Sequence, residues 1–212
     1  MNRRINCPLC SSNDVRLFYD RKHLFYSCGC CRGIFRAEST YVGDDAERSR
    51  YEEHNNDVFD ERYQQFVSPI TSSVMRDFEP HHRGLDFGAG TGPVISKMLE
   101  DRGYDIVQYD PFFANDKALL EERYHYIVCC EVMEHFQQPL REFELLRGLL
   151  LPKGKLYCMT NLYDKSVDFH SWNYKNDPTH VFIYRERTLE WMEEALGFSG
   201  LTAEGRLIVF DR

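Results

Sequence analysis

No apolar run in these 212 residues approaches the roughly 20 that a membrane span needs. The opening Met1-Asn2-Arg3-Arg4-Ile5-Asn6-Cys7 is basic but has no apolar segment behind it, so it lacks the build of a secretory signal. Internal repeats and low-complexity tracts are also missing. These absences point to a cytoplasmic globular chain with no membrane partner. The length allows one medium domain and a small appendage, and 42% hydrophobic with 28% charged residues is ordinary for such a chain. Basic residues are short where nucleic acid would need them. Seven of the 26 Lys and Arg lie within residues 1–36, beside only two of the 34 acidic residues. The rest is acidic and carries no basic stripe, so a nucleic-acid partner is disfavoured.

Three regions differ in composition. Residues 1–36 hold five of the eight cysteines among aromatic and basic residues. Residues 37–80 are polar, with Tyr51, Phe59, Tyr63 and Phe66 among carboxylates, and read as one or two helices broken at Ser68-Pro69. They form either a linker or a lid, with Arg50-Tyr51-Glu52-Glu53-His54-Asn55 and Tyr63 the candidates for covering a site. From residue 81 to 212 apolar strands alternate with helices, the pattern of an α/β sheet. The strand candidates are 84–88, 105–109, 126–131, 155–160 and 206–211. Pro93 and Gly103 bound one helix, Pro139 and Pro152 a second, and Thr188–Leu196 with Gly197 after it a third.

Cys7-Pro8-Leu9-Cys10 and Cys28-Gly29-Cys30-Cys31 form a C-x2-C pair of pairs. In a reducing compartment such spacing argues for metal rather than disulfides. Cys7, Cys10, Cys28 and Cys31 supply the four sulfurs that Zn²⁺ prefers, or iron in purified material, with Cys30 as a spare that can replace Cys28 or Cys31. The strands 15–19 and 24–27 make the hairpin between the pairs. Four thiolates leave no open coordination position, so the metal is expected to be structural.

The segment Leu85-Asp86-Phe87-Gly88-Ala89-Gly90-Thr91-Gly92-Pro93 runs from a buried strand through a glycine-rich turn into a helix. The glycines permit close backbone approach to a ligand. The spacing is GxGxG with Asp86 two residues ahead, and that carboxylate suits a cationic amino-acid ligand better than a pyrophosphate. A nicotinamide oxidoreductase is disfavoured for the same reason.

This segment resembles motif I of the class I S-adenosylmethionine-dependent methyltransferases. Three further stretches extend the resemblance: Asp105–Pro111, a strand ending in the acid Asp110; Tyr126–Phe136, similar to the family's fourth strand and the turn after it; and Leu151–Leu156, similar to the Leu-x-Pro-Gly-Gly lead into strand five, with Lys153 where glycine is common. The N-terminal cysteine module together with Trp172–Tyr184 resembles a bacterial subgroup. The resemblance implies a Rossmann-like sheet with helices on both faces, plus a small zinc-ribbon-like β module. It implies that Asp86, Gly88, Ala89, Gly90, Gly92, Asp110, Pro111, Phe112, Glu131 and Tyr63 bind S-adenosylmethionine, with Asp110 on the ribose hydroxyls. Only thirteen residues separate Asp110 from Tyr124, so the usual third strand and its helix barely fit. Phe112 or Phe113 is a candidate for stacking on the adenine, or both are core residues.

Methyl transfer from a sulfonium needs alignment, exclusion of water and, for oxygen nucleophiles, removal of a proton. Cys129 and Cys130 read as strand packing. Glu131, Glu134 and His135 form E-x2-E-H after the fourth strand, and Asp177-Pro178-Thr179-His180 can fold back over them. His135, His180 and Glu134 are therefore the candidate catalytic residues, and Glu131, Glu134, His135 and His180 a candidate second divalent-metal site, as similar segments imply in metal-dependent methyltransferases. Ser171-Trp172-Asn173-Tyr174 offers aromatic surface to a substrate or packs on the sheet edge. The expected activity is O-methylation of a small or carrier-bound metabolite. The alternatives are an adaptor on an inactive methyltransferase scaffold and an RNA 2′-O-methyltransferase.

Overall fold

The cysteine pairs fold the N-terminal segment around themselves. In the computed structural model, which describes residues 5–53 and 56–212, each pair forms a tight knuckle. The N–H of Cys7 donates to the carbonyl of Ser12 at 2.9 Å, and that of Cys28 to Gly33 at 2.9 Å. The residue after each second cysteine, Ser11 and Arg32, takes a positive φ of 58° and 64°, turning the chain back. Between the knuckles run β1 (Val15–Asp20) and β2 (Leu24–Cys28), followed by β3 (Ile34–Arg36). The basic tetrapeptide at residues 1–4, and His54 and Asn55 of the stretch before motif I, lie outside the described residues.

Two helices follow: α1 (Asp44–Glu52) and α2 (Glu61–Asp77). The break expected at Ser68-Pro69 is absent, because α2 runs straight through Pro69. Proline lacks the N–H that would bond to the carbonyl of Gln65. The hydroxyl of Ser68 donates to that carbonyl instead, at 2.8 Å.

The rest of the chain is the α/β part: β4 (Gly84–Phe87), α3 (Val94–Glu100), β5 (Ile106–Tyr109), β6 (Tyr124–Cys130), α4 (Pro139–Leu149), β7 (Leu150–Met159), β8 (Phe182–Ile183), α5 (Glu186–Leu196), β9 (Gly200–Glu204) and β10 (Leu207–Asp211). Six strands form one sheet in the order β5-β4-β6-β7-β10-β9. The first four are parallel; β10 runs antiparallel to β7 and to β9. Between Asp110 and Tyr124 there is a 3-10 turn and no further strand, as the short spacing led one to expect. Helix α4 ends at Leu149, ahead of Pro152, and the chain turns directly into β7.

Strand side chains alternate between the two faces. Ile127, Cys129, Leu156, Cys158, Ile208 and Phe210 face one way, against Phe143 and Leu146 of α4 and Leu189 and Met192 of α5. Val128, Tyr157, Met159 and Val209 face the other, against Val67, Ile70 and Val74 of α2 and Val94, Ile95 and Leu99 of α3. Helices thus cover both faces, the Rossmann-like arrangement.

The N-terminal sheet has a fourth strand that the cysteine spacing did not announce. Its order is β1-β2-β3-β8, with Ile34 opposite Ile183 and Phe35 opposite Phe182. Cys7, Leu9, Cys28, Cys31 and Phe35 belong to the same apolar cluster as Phe143, Tyr184 and Phe210. A second cluster joins Phe25 and Ile34 to Phe169 and Ile183.

Candidate active site and cysteine cluster

The parallel strands β4, β5 and β6 end on the same edge of the sheet, and the turns that follow them surround a cavity of about 820 Å³. Helix α1, with Asp44, Glu47 and Tyr51, lies on its other side. Every residue expected to bind cofactor or act in catalysis lines this one cavity: Tyr63, Asp86, Gly88, Ala89, Gly90, Gly92, Asp110, Pro111, Phe112, Glu131, Glu134, His135 and His180.

The glycine turn is shaped by its neighbours. Gly88 and Gly90 have φ of 81° and 63°. A Cβ on Gly88 would strike Val132 at 2.5 Å, and one on Gly92 would strike the carbonyl of Asn56 at 1.8 Å. At Gly90 it would meet nothing within 4 Å, so here the bare backbone opens on the cavity. Asp86 accepts from the hydroxyl of Ser96 at 2.8 Å, and burial pushes its carboxyl up to about 6. Asp110 accepts from the N–H groups of Gly90 (2.9 Å), Phe112 (2.8 Å) and Phe113 (3.1 Å), tying the glycine turn to the end of β5.

Glu131 follows β6 with φ 53°, a conformation that side chains rarely adopt. Its carboxylate pairs with Arg206 at 2.5 Å, and burial followed by the nearby charge of Glu134 pushes it up to about 7 despite that partner. Arg206 escaped the sequence reading: it lies just before β10, far along the chain, and nothing in its own surroundings marks it.

Glu134 is fully buried. One of its oxygens accepts from the hydroxyl of Tyr174 at 2.6 Å and the other from that of Thr160 at 3.1 Å. The rings of His135 and His180 meet edge to face, with centroids 4.8 Å apart. Nδ1 of His135 lies 3.1 Å from the carbonyl of Thr179, and Nδ1 of His180 lies 2.7 Å from that of Tyr174. A carbonyl only accepts, so in each neutral ring Nδ1 carries the hydrogen and Nε2 the lone pair. Burial and then the charge of His135 lower the pKa of His180 and favour its neutral form. Glu134, His135 and His180 each place a ligand atom within 4.8 Å of the others. Glu131, expected to join them, does not; Arg206 holds it elsewhere.

Asp177 accepts from Thr179, through both its N–H (3.0 Å) and its hydroxyl (2.6 Å), and from Arg50 of α1 at 2.9 and 3.0 Å. These donors hold it well below the usual carboxylate range in spite of its burial. Beside this latch, the ring of Tyr51 stands edge-on to His135 with centroids 5.2 Å apart, and its hydroxyl donates to Glu47 at 2.6 Å. Phe112 is tilted against Tyr51 at 5.8 Å.

In the N-terminal knuckles, one sulfur from each of Cys7, Cys10, Cys28 and Cys31 lies within 4.8 Å of all the others. The closest pairs are Cys7 with Cys31 at 3.5 Å and Cys10 with Cys28 at 3.4 Å. A tetrahedral zinc with bonds of about 2.3 Å sets sulfurs about 3.8 Å apart, so the cluster is compatible with that ion. Cys30 is exposed and outside it, which decides between the three downstream cysteines.

A family model described as a methyltransferase domain matches residues 54–203. No curated protein sequence matches the chain. Among solved structures, an S-adenosylmethionine-dependent methyltransferase from Archaeoglobus fulgidus is similar at 16% identity and TM-score 0.55, over 70% of this chain and 94% of that one. The magnesium protoporphyrin IX methyltransferase of Synechocystis, with S-adenosylhomocysteine bound, is similar at 17% identity and TM-score 0.53, over 71% and 83%. An O-methyltransferase family protein from Burkholderia thailandensis is similar at 13% identity and TM-score 0.51, over 86% and 64%. At these identities the likeness is one of fold.

Proposed function

Since the chain belongs to the methyltransferase-domain family, with the class I S-adenosylmethionine-dependent fold, we propose that it methylates an oxygen on a small or carrier-bound acceptor and that the His135–His180 pair takes up the proton. The observation that carries this reading is the pair of imidazoles set into a wall of carboxylates. Asp44, Glu47, Asp86, Asp110, Glu131, Glu134, Glu142 and Asp177 line the cavity, against Arg206 as its only Lys or Arg among the described residues.

That donor set fits a ligand carrying positive charge and repels a pyrophosphate or a nucleic-acid backbone. It therefore favours a small acceptor over an RNA hydroxyl. S-adenosylmethionine bound there supplies an electrophilic methyl group. The open backbone at Gly90, with Asp86 and Asp110 on either side, would hold it. Helix α1, latched by Arg50 to Asp177, would cover the cavity and limit the entry of water. The carbonyls of Thr179 and Tyr174 fix each imidazole tautomer with Nε2 as the basic atom, which suits a general base near neutral pH. Glu134, engaged by two hydroxyls, orients this end of the cavity and steadies positive charge that develops on the histidines.

A second reading has one observation in its favour: Glu134, His135 and His180 cluster closely enough to hold a divalent cation, with both Nδ1 atoms tied back to carbonyls in the manner of metal-ligating histidines. For the four-cysteine cluster we propose structural zinc.

Calorimetric titration with S-adenosylhomocysteine, beside elemental analysis of the same sample, tests the proposal. Micromolar binding with one tightly held zinc is expected, and transfer of labelled methyl to metabolite fractions is then lost in His135→Ala and His180→Ala while the product analogue still binds. Absence of binding in a folded, zinc-loaded protein would overturn the enzyme reading in favour of an adaptor. Titration with Mg²⁺ and Mn²⁺ in the presence of the analogue decides the second reading.

A further inference from the structure

The cysteine module contributes nothing to the cavity wall directly: among the described residues, no lining residue precedes Asp44. Its last strand nevertheless ends in a side chain that reaches the site's outer loop. Arg36 is 2% exposed. Its Nη2 donates to the carbonyl of Lys175 at 2.9 Å and to that of Asp177 at 2.8 Å, and its backbone N–H donates to the carbonyl of Val181 at 2.8 Å. The guanidinium lies over the ring of Phe25 at 5.1 Å, and its Nε is buried without a partner. A cation so deeply placed is costly, and the orphaned Nε adds to the cost. The carbonyls it engages are those of the segment that carries the site.

That segment has little regular secondary structure and is held mainly by side-chain bonds, among them those of the buried Lys175 ammonium to the carbonyls of His170 and Trp172. It contains one 3-10 turn, Asn173–Asn176, and the two-residue β8. Tyr174 uses its hydroxyl on Glu134 and its carbonyl on His180; Asp177 latches α1; the N–H of Val181 donates to the carbonyl of Glu134 at 2.9 Å. Arg36 grips the chain just after Tyr174 and at Asp177, and β3 pairs with β8 just beyond His180. The knuckle that carries Cys31 closes immediately before β3, where the N–H of Cys28 donates to the carbonyl of Gly33 at 2.9 Å.

We infer that the cysteine module is the scaffold of the acceptor side of the site, and that Arg36 is the positioning residue through which it sets the 173–183 segment and His180. The inference rests on the reading of His180 as an acceptor-side group; the physical coupling it asserts does not need an acceptor to be measured. A metal in the knuckles then acts on the site through β3 and Arg36, with no part in the chemistry.

The test is hydrogen exchange on the full chain, with S-adenosylhomocysteine binding as the control. In Arg36→Gln the analogue is expected to bind within about twofold of wild type, while exchange at the amides of His180 and Val181 speeds up by roughly tenfold or more. Arg36→Lys should fall between, because its ammonium keeps the charge but stops one atom short of the Nη2 that reaches both carbonyls. Removing the metal from wild type with a chelator should reproduce the Arg36→Gln pattern across 173–183 and leave 84–113 protected. Once an acceptor is in hand, Arg36→Gln should raise its KM and lower kcat, with KM for S-adenosylmethionine unchanged. Unaltered exchange in 173–183, or loosening spread evenly over the sheet, would overturn the inference. If Arg36→Gln does not fold, Arg36→Lys and the chelated wild type decide in the same way. Failure of wild type to bind the analogue would count against the proposed function, and the exchange comparison would still stand.

Discussion

Both oxygens of Asp110 are committed to the backbone: one to the N–H of Gly90, the other to those of Phe112 and Phe113. The carboxylate therefore shapes the glycine turn as well as facing the cavity. Asp110→Ala strands three backbone donors, so it is expected to lower unfolding free energy by about 1–3 kcal/mol and to weaken S-adenosylhomocysteine binding at least tenfold. Denaturant titration and calorimetry on the same variant separate the two effects. A stability loss with unchanged affinity would leave Asp110 as a turn residue and reject its contact with the ribose. Lys153 shows the opposite case, a side chain where the backbone asks for none. Its φ is 66°, it is exposed, and it sits where the resembling motif commonly has glycine. Left-handed backbone costs a lysine about 1–2 kcal/mol, and glycine's looser unfolded chain returns part of that. Lys153→Gly should thus raise stability by up to about 1 kcal/mol in denaturant titration; a loss would mean that the strain is absent.

Helix α1 is held to the rest of the site by few contacts, which suits a lid. The Arg50–Asp177 bridge is the strongest: Nε and Nη2 both donate to one carboxylate oxygen, and Asp177 is only 12% exposed at its side chain. Arg50→Ala is expected to speed dissociation of S-adenosylhomocysteine three- to tenfold by stopped flow, with stability changed by less than about 1 kcal/mol. An unchanged off-rate would make α1 a fixed wall. The elements differ in how plainly the sequence announces them, and the reason is where their signals lie. The knuckles and the glycine turn are marked locally, by C-x2-C and by GxGxG with its leading acid, and both stand where those signals put them. Strand β8 is two residues long and exists because Ile34 and Phe35 are there to pair with it, a partner far away in sequence. Strand β9 is mostly exposed and has no apolar alternation to reveal it. Within α2 the carbonyl that Pro69 leaves without its helical partner is met by the Ser68 hydroxyl, a bond that composition does not display. The same holds for the site: E-x2-E-H was visible as a string, but the turn of Glu131 toward Arg206 depends on β10 lying near β6 across β7.

Across the whole molecule, two sets of carboxylates respond oppositely to pH. In the first set, burial alone would raise Asp77, but Arg76, Tyr157 and Lys155 together hold it at about 2, and Asp177 on the cavity wall is likewise lowered. Their contribution to stability is complete above the ordinary carboxylate value of about 4 and is lost as pH falls through 2. In the second set, burial holds Asp86 at about 6 and, with Glu134 nearby, Glu131 at about 7. These two bind protons in the folded chain that they would release at about 4 when unfolded, so stability falls as pH rises from 4 through 7. These two carboxylates should lower the melting temperature from about pH 5 toward neutrality, against the opposite pull of His180, whose lowered pKa costs stability as pH falls below the ordinary imidazole value of about 6.5. A cationic ligand reverses the penalty. It favours the ionised carboxylates, so binding expels their protons, and affinity for S-adenosylmethionine should climb from pH 5 to 8 and level off above. S-adenosylhomocysteine lacks the sulfonium charge and should show a shallower climb over the same window. Calorimetry in buffers of different ionisation enthalpy counts the protons released. Equal pH slopes for the two ligands would show that Asp86 and Glu131 do not sense the sulfonium, leaving the α-ammonium that both ligands carry as the charge they meet.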